Sequence, residues 1–419
     1  MKVVIIGSSH SQSRGIPAGF REEGWDVSSL SIGGSSTAFV LLRICDVQNK
    51  KLLEEADLII CESNSGDFRL DTDIACQDIY DTYRYLYSFK KKVVICLWSH
   101  REDIIKNQII DSMHTKLSGF YGFNLVDLSK LRRQTIYFLT FDGIHIFMSI
   151  LKEFGRNIAK NFHTLKYPKE INNLKECKKF EVCQVSEMLG VNPSIHKYID
   201  RFIGIKSTLL KLTEDCELKF SKKYYGYKIH SVFSDNLNTI LPSAITIANK
   251  NILLNSILFP GAAVKRFGEM IDIDEFTKIT SNSRFVGDMD KKVAPCEKPN
   301  VNKYLGYVGI ISFLLVKDYH TEEIDFEALA NENIEIPEEY NFNHLIPPIE
   351  LYKEIIDEYC ATMDPRKLAS LQKQISVLTQ EKQDLQNKFQ NELNSLPAKK
   401  QRLELANLEQ DLIIKKLES

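Results

Sequence analysis

The chain has 419 residues, more than a single hydrophobic core usually organises, so two or three domains are expected. Its 54 basic and 56 acidic residues nearly cancel, which gives no electrostatic indication of a nucleic-acid partner. The nine cysteines form no CxxC pair, which argues against a zinc site of that type. Neither a signal peptide nor an apolar run of membrane-spanning length is recognised, so we expect a cytoplasmic protein whose thiols are reduced.

Residues 1–165 are predicted to form an α/β unit around a parallel sheet. Apolar runs rich in Val and Ile are typical of strands buried on both faces, and they occur at 2–7, 57–61, 92–98 and 135–140. Segments with helical spacing lie between or after these runs, at 38–56, 78–89 and 146–162. This alternation predicts a doubly wound, layered structure.

Residues 175–345 are predicted to form a β-rich or mixed accessory domain. Short β-prone runs, such as 243–248 and 307–316, alternate with clusters of Asn, Ser, Gly and Pro. The four histidines of this region, at positions 196, 230, 320 and 344, do not have metal-ligand spacing. The chain also contains neither GxGxxG nor GxxxxGK[ST], so neither dinucleotide-loop nor P-loop chemistry is indicated.

Residues 348–419 are predicted to be helical and to contain a coiled coil. Apolar residues with alternating three- and four-residue spacing form the seam, with Lys382 as a break in it: Leu368, Leu371, Ile375, Leu378, Leu385 and Phe389. Pro397 is expected to interrupt the helix. We expect the segment to pair with another copy of the chain in a homo-oligomer, to pair with a coiled-coil partner, or to fold back as an intramolecular hairpin. Peripheral membrane association is a weaker alternative because acidic and basic residues are mixed throughout.

The ends of the predicted strands carry residues suited to acyl transfer. In an open parallel sheet the carboxyl ends of the strands form the site. The first strand is followed by "GSSHS", which offers Ser9 as a nucleophile, and the last by "FDGIHIF", with Asp142 and His145. A serine hydroxyl needs a base, and His145 can act as one if Asp142 orients its ring. His10 is adjacent to Ser9 in the chain and is expected to be packed or to face solvent instead.

The same edge offers donors for an oxyanion. The segment "DVSSLSIGGSST" contains Gly33 and Gly34, and the strand at 57–61 leads to Asn64. We expect the backbone N–H groups of Ser9 and Gly34 and the side-chain amide of Asn64 to stabilise the tetrahedral intermediate, with Gly33 as an alternative to Gly34.

These four segments resemble the SGNH, or GDSL-type, serine hydrolase superfamily. The Gly-Asp-Ser block matches Gly7-Ser8-Ser9, and the remaining blocks match Gly34, Asn64 and the pair Asp142–His145. The resemblance covers about the first 165 residues and implies a flavodoxin-like, three-layer fold with Ser9 as nucleophile. The chain departs from the pattern at three positions: Ser8 stands where the family has Asp, Glu62 where it has Gly, and Ser65 where it has Asp.

The resemblance implies a serine esterase or O-acetyltransferase that acts on a carbohydrate, such as a bacterial surface or capsular polysaccharide. No bound cofactor or metal is expected, and acetyl-CoA is one candidate acyl donor. The alternative is a catalytically degenerate scaffold that binds a glycan or assembles a complex through its β-rich domain and coiled coil. His100 and Arg101 either line the substrate pocket or belong to a solvated loop.

Overall fold

A computed structural model describes residues 1–12, 14–98, 105–129, 140, 145–174, 178–191, 194–199, 206–236, 241–282, 304–362 and 365–417. The chain divides into two compact units, Met1–Ile349 and Glu350–Ser419. The first unit therefore contains both the α/β part and the β-rich part.

The α/β part is built on a parallel sheet with the strand order β2-β1-β3-β4-β5. Its strands are β1 (Lys2–Ile6), β2 (Asp26–Ser29), β3 (Leu58–Cys61), β4 (Lys92–Leu97) and β5 (Asn124–Asp127). Its helices are α1 (Ile16–Glu22), α2 (Thr37–Cys45), α3 (Val47–Glu55), α4 (Asn64–Asp67), α5 (Thr72–Ser88), α6 (Ile105–Tyr121) and α7 (Met148–Lys160). This strand order is the flavodoxin-like one, so the predicted fold class is confirmed.

Helices α1 and α7 pack closely against each other. They are in close contact at Gly19, where a Cβ atom would lie 2.0 Å from the Lys152 carbonyl oxygen. Sheet residues such as Val4, Ile6 and Ile59 belong to the hydrophobic core formed with α2, α5 and α6.

The α/β part differs from the sequence prediction in several details. Two strands of the sheet, β2 and β5, were not among the predicted runs, because "DVSS" and "NLVD" have only one and two apolar residues. Residues 135–139 of the predicted last strand lie outside the described residues. The predicted helical run at 38–56 is two helices separated at Asp46, whose carboxylate accepts a 3.0 Å hydrogen bond from the Gln48 N–H and caps α3.

The β-rich part contains two antiparallel sheets in its described residues. Their orders are β13-β12-β15-β10-β7 and β14-β11-β16-β9-β8, and β6 also pairs with β16. The strands are β6 (Lys179–Gln184), β7 (Leu189–Val191), β8 (Ser194–Ile199), β9 (Lys206–Thr213), β10 (Glu217–Lys219), β11 (Lys228–Asp235), β12 (Ser243–Ala248), β13 (Leu253–Leu258), β14 (Ala262–Asp272), β15 (Lys278–Ser281) and β16 (Tyr307–Lys317). A core that includes Ile247, Phe267 and Phe313 draws side chains from both sheets. The short helix α8 (Phe326–Asn331) follows.

The α/β part and the β-rich part share one hydrophobic core. Phe39 of α2 and Phe233 of β11 are in edge-to-face contact, with their ring centroids 6.0 Å apart. Leu314 and Val316 of β16 belong to the same buried cluster as the residues of α2 and α5. The face of the α/β part that carries α2 and α5 is therefore covered by the β-rich part.

Charged side chains are also buried at this junction. The Asp78 carboxylate on α5 lies 3.0 Å from His230 Nε2 and 3.2 Å from Arg266 Nε, and Asp81 lies 3.0 Å from Lys178 Nζ. Burial opposes ionisation of Asp78, but the charge of Arg266, together with the interaction with His230, outweighs it and holds the pKa of Asp78 below its usual value. Burial, and then the charge of Arg266, lower the pKa of His230 to about 4, so its ring is neutral at neutral pH.

The second unit is dominated by one long helix. Helix α9 (Ile349–Thr362) begins at the boundary of the first unit and is followed by α10 (Pro365–Leu417), which spans 53 residues. The expected interruption at Pro397 is wrong, because α10 continues through it. Proline in a helix interior costs roughly 3 kcal/mol, but Leu, Ala, Lys, Gln and Glu, which dominate the flanking sequence, are strong helix formers.

The predicted apolar seam of α10 is solvent-exposed in the single chain. Leu371, Ile375, Leu378, Leu385 and Phe389 are each more than half exposed. The seam therefore stays a prediction of coiled-coil pairing. In the described part of the chain, no helix combines the length and apolar character required to cross a membrane.

Candidate active site

The turn after β1 presents Ser9 at the carboxyl edge of the sheet. Residues Ser9–Ser11 form one turn of 3-10 helix directly after Gly7 and Ser8. The Ser11 N–H donates to the Ser8 carbonyl at 3.3 Å, and the Gln12 N–H donates to the Ser9 carbonyl at 3.4 Å. Ser9 is half-buried, whereas Ser8 and Ser11 are buried. Of these three serines, Ser9 is thus the one that solvent or a substrate can reach.

The glycine pair lies beside this turn. The Ile32 N–H and the Ser35 hydroxyl both donate to the Gly7 carbonyl, at 3.1 and 2.8 Å. Gly34 has a φ of +70°, a conformation that side chains other than glycine rarely adopt. The Arg69 guanidinium donates to the Gly34 carbonyl at 3.2 Å. The structure therefore brings the Gly33–Gly34 turn and the serine turn together, as an oxyanion site would require.

Asn64 is placed at the end of β3 but its side chain points inward. It is fully buried, and its Nδ2 donates to the Trp98 carbonyl at 2.9 Å and to Asp111 Oδ1 at 2.8 Å. Its Oδ1 accepts the Trp98 N–H at 3.0 Å. Since both amide hydrogens have acceptors within the protein, Asn64 can donate to an oxyanion only if one of these bonds is released.

His145 lies next to the turn that carries Ser9. Its ring is half-buried just before α7, and its centroid is 5.8 Å from that of His10. His10 is buried and stacks on Trp98 with a centroid distance of 4.7 Å. Of the two alternatives expected from the sequence, packed or facing solvent, it is therefore packed. Asp142, the predicted orienting carboxylate, lies outside the described residues, as do His100 and Arg101.

Glu62 is a site residue whose contacts were not foreseen from the sequence. Its carboxylate is 1% exposed and accepts the Ser8 N–H at 2.6 Å and the Ser8 hydroxyl at 3.1 and 3.0 Å. Burial raises the pKa of Glu62 to about 7. The hydrogen bonds from Ser8, together with the facing Ser11 hydroxyl and Trp98 indole, act to lower this pKa but do not outweigh burial. The one indication in the sequence was that Glu62 stands where the motif that the chain resembles has glycine.

Helix α4 supports the glycine turn from below. The Asp67 carboxylate accepts the N–H of Thr37 at 2.7 Å and its hydroxyl at 2.6 Å, and so caps the start of α2. A Cβ at Gly66 would lie 2.0 Å from the Ser35 carbonyl oxygen, so only glycine permits this contact. The stretch "SGD" after Asn64 thus fixes the loop that carries Gly34.

Solved structures of several esterases and lipases are similar to this chain. A two-domain esterase active on acetylated mannans, crystallised with mannopentaose, is 13% identical, with a TM-score of 0.48 over 76% of this chain and 92% of that one. A GDSL-like lipase from Bacteroides thetaiotaomicron is 18% identical, with a TM-score of 0.28 over 35% of this chain and 80% of that one. A variant of an acetyl-xylooligosaccharide esterase from Geobacillus is 15% identical, with a TM-score of 0.27 over 38% of this chain and 91% of that one. No protein-family model matches the chain, and the comparison with curated proteins finds no match.

Proposed function

We propose that the chain is a serine-dependent O-acyl esterase or O-acetyltransferase that acts on a carbohydrate. The observation that supports this most directly is the meeting of three segments at one sheet edge: the half-buried Ser9 turn, the Gly33–Gly34 turn bonded to it through Gly7, and the His145 ring beside His10. The choice of a carbohydrate rests on the resemblance of the sequence to members of the SGNH superfamily that modify polysaccharides.

The proposed reaction has two steps. In the first, Ser9 Oγ attacks the acyl carbonyl while His145 accepts the hydroxyl proton, and the oxyanion is bound by the N–H groups of Ser9 and Gly34. The intermediate collapses when His145 returns the proton to the leaving group, which leaves an acyl ester on Ser9. In the second step, His145 takes a proton from the acceptor, whose oxygen attacks the acyl carbonyl. The bond between the acyl carbon and Ser9 Oγ then breaks, and His145 returns the proton to Ser9 Oγ. Water as acceptor makes an esterase, and a sugar hydroxyl makes a transferase.

A scaffold that has lost catalysis is the second candidate function. The inward bonds of Asn64 to Trp98 and Asp111 favour it, because they occupy the amide that the family motif assigns to the oxyanion. In that case the β-rich part and the coiled coil would carry the function by binding a glycan or a partner.

Release of p-nitrophenol from p-nitrophenyl acetate separates these proposals. Ser9→Ala should abolish the release seen with wild type and leave the melting temperature unchanged, because Ser9 is half-buried at a turn. Ser88→Ala, at the exposed end of α5, is the matched control and should keep full activity. Release accelerated by an added sugar indicates a transferase. Activity that survives Ser9→Ala would rule out Ser9 as nucleophile, and failure of wild type to react with either this ester or a fluorophosphonate would favour the scaffold.

A further inference from the structure

We infer that Glu62 is a positioning residue for the nucleophile, which it presents by holding the backbone N–H and the hydroxyl of Ser8. This inference deepens the proposed function and rests on it. Glu62 does not touch the reacting atoms; it acts on Ser9 through the residue before it.

Three contacts tie Glu62 to the serine turn. Its Oε1 lies 2.6 Å from the Ser8 backbone nitrogen, a short distance that is typical of a charge-assisted hydrogen bond. Both of its carboxylate oxygens lie within 3.1 Å of the Ser8 hydroxyl. The parallel register places Cys61 beside Ile6, so the residues that follow, Glu62 and Gly7, are neighbours at the strand ends.

Gly7 makes this arrangement possible. A Cβ atom at position 7 would lie 2.6 Å from the Cγ of Glu62 and 2.5 Å from its carbonyl oxygen. No other residue can therefore stand at position 7 while Glu62 keeps its place. Both the backbone of residue 62 and the Glu62 side chain therefore use the space that the missing side chain of Gly7 leaves.

The chain has exchanged the positions of a carboxylate and a small residue relative to the motif that it resembles. The motif has Asp where this chain has Ser8, and Gly where it has Glu62. Because Glu62 reaches Ser8 from the neighbouring strand, a carboxylate is again present at the base of the serine turn. The two departures thus compensate each other in space.

The charge state of Glu62 controls the strength of this hold. A carboxylate accepts both Ser8 donors, whereas the protonated acid uses one oxygen as a donor and binds the turn less firmly. Among the described residues, the titratable groups nearby include the thiols of Cys61 and Cys96, the Asp67 carboxylate close to Cys61, the His10 ring stacked on Trp98, and the His145 ring beside His10. Burial keeps the pKa of both thiols above the usual value, so they stay neutral near pH 7.

The test is the rate at which a fluorophosphonate labels Ser9, measured from pH 5.5 to 8.5 in wild type and Glu62→Gln. At pH 8.5 the variant should react about ten- to a hundredfold more slowly, the usual loss for a hydrogen bond to a charged group. The two rates should converge as the pH falls, because wild-type Glu62 then becomes neutral as well. A purely structural role would give the same ratio at every pH and would overturn the inference, as would equal rates throughout.

A second variant tests the exchange itself. Ser8→Asp combined with Glu62→Gly should label faster than either single variant, because only the double variant has one carboxylate at the base of the turn. A double variant no faster than the faster single variant would contradict the compensation. If wild type itself is not labelled, the proposed function fails and this inference falls with it; if wild type is labelled and Glu62→Gln behaves identically, only this inference falls.

Discussion

Replacement of Glu62 by Gln should make the protein more stable at high pH, although it slows the proposed reaction. The pKa of Glu62 is raised by burial from 4.5 to about 7, so the folded state keeps a proton that the unfolded state has lost. The stability that this proton confers is fully present below about pH 4.5 and is lost as the pH rises through about 7. A shift of roughly 2.5 pKa units corresponds to about 3 kcal/mol of lost stability by pH 8.

Glutamine has nearly the same shape and no titration, so the variant avoids this loss. With about 2.1 cal/mol/K of unfolding entropy per residue over the unit Met1–Ile349, 3 kcal/mol corresponds to about 4 °C in melting temperature. The difference in melting temperature between Glu62→Gln and wild type should therefore grow by about 4 °C from pH 4.5 to pH 8 in scanning calorimetry.

Glu54→Gln is the matched control for this measurement. Glu54 lies on α3 with its side chain 56% exposed, so its replacement should produce no comparable change with pH. A difference between Glu62→Gln and wild type that is constant or shrinks with rising pH would refute the reasoning. It would mean that ionisation of the buried Glu62 carboxyl at high pH does not lower the free energy of unfolding.

Three further predictions concern other parts of the chain. His145→Ala should lower the rate of Ser9 acylation by at least about a thousandfold, whereas the exposed His320→Ala should not; a loss within tenfold, measured by single-turnover kinetics, would exclude His145 as the base. Arg266→Met should destabilise the first unit by about 3–5 kcal/mol in urea unfolding, because it leaves the Asp78 charge buried without the positive charge of Arg266. Asp78→Asn added to it should restore part of the loss, and equal stability of Arg266→Met and wild type would contradict this. Removal of residues 365–419 should lower the oligomeric mass in light scattering beyond the mass removed, with ester hydrolysis retained; a change equal to the deleted mass alone would refute the coiled-coil prediction.

The sheet and the edge that carries the candidate site were predictable because parallel strands leave a strong local signal. β1, β3 and β4 are continuous apolar runs, and the polar residues that follow them must meet at one edge. β5 gave no such signal, since it has four residues and only two of them are apolar.

The contact between Ser8 and Glu62 could not be read from the sequence, because it depends on which strands are neighbours and on their register. The two residues are 54 positions apart and each looked like a separate departure from the motif. The same is true of Asn64, whose inward orientation is fixed by the end of β4 and by Asp111 on α6. The core shared by the α/β part and the β-rich part could not be predicted either, because an apolar helix face does not indicate which element packs against it.

The shared core has a consequence for the order in which the protein can fold during synthesis. Phe39 on α2 is buried against Phe233 on β11, which leaves the ribosome 194 residues later. At about 5–20 residues per second, the apolar face of α2 and the carboxylate of Asp78 wait roughly 10–40 s for the strands that cover them. During this interval the nascent α/β part exposes an apolar surface to solvent. Translation speed therefore sets how long this face is exposed to solvent before β11, β14 and β16 have emerged.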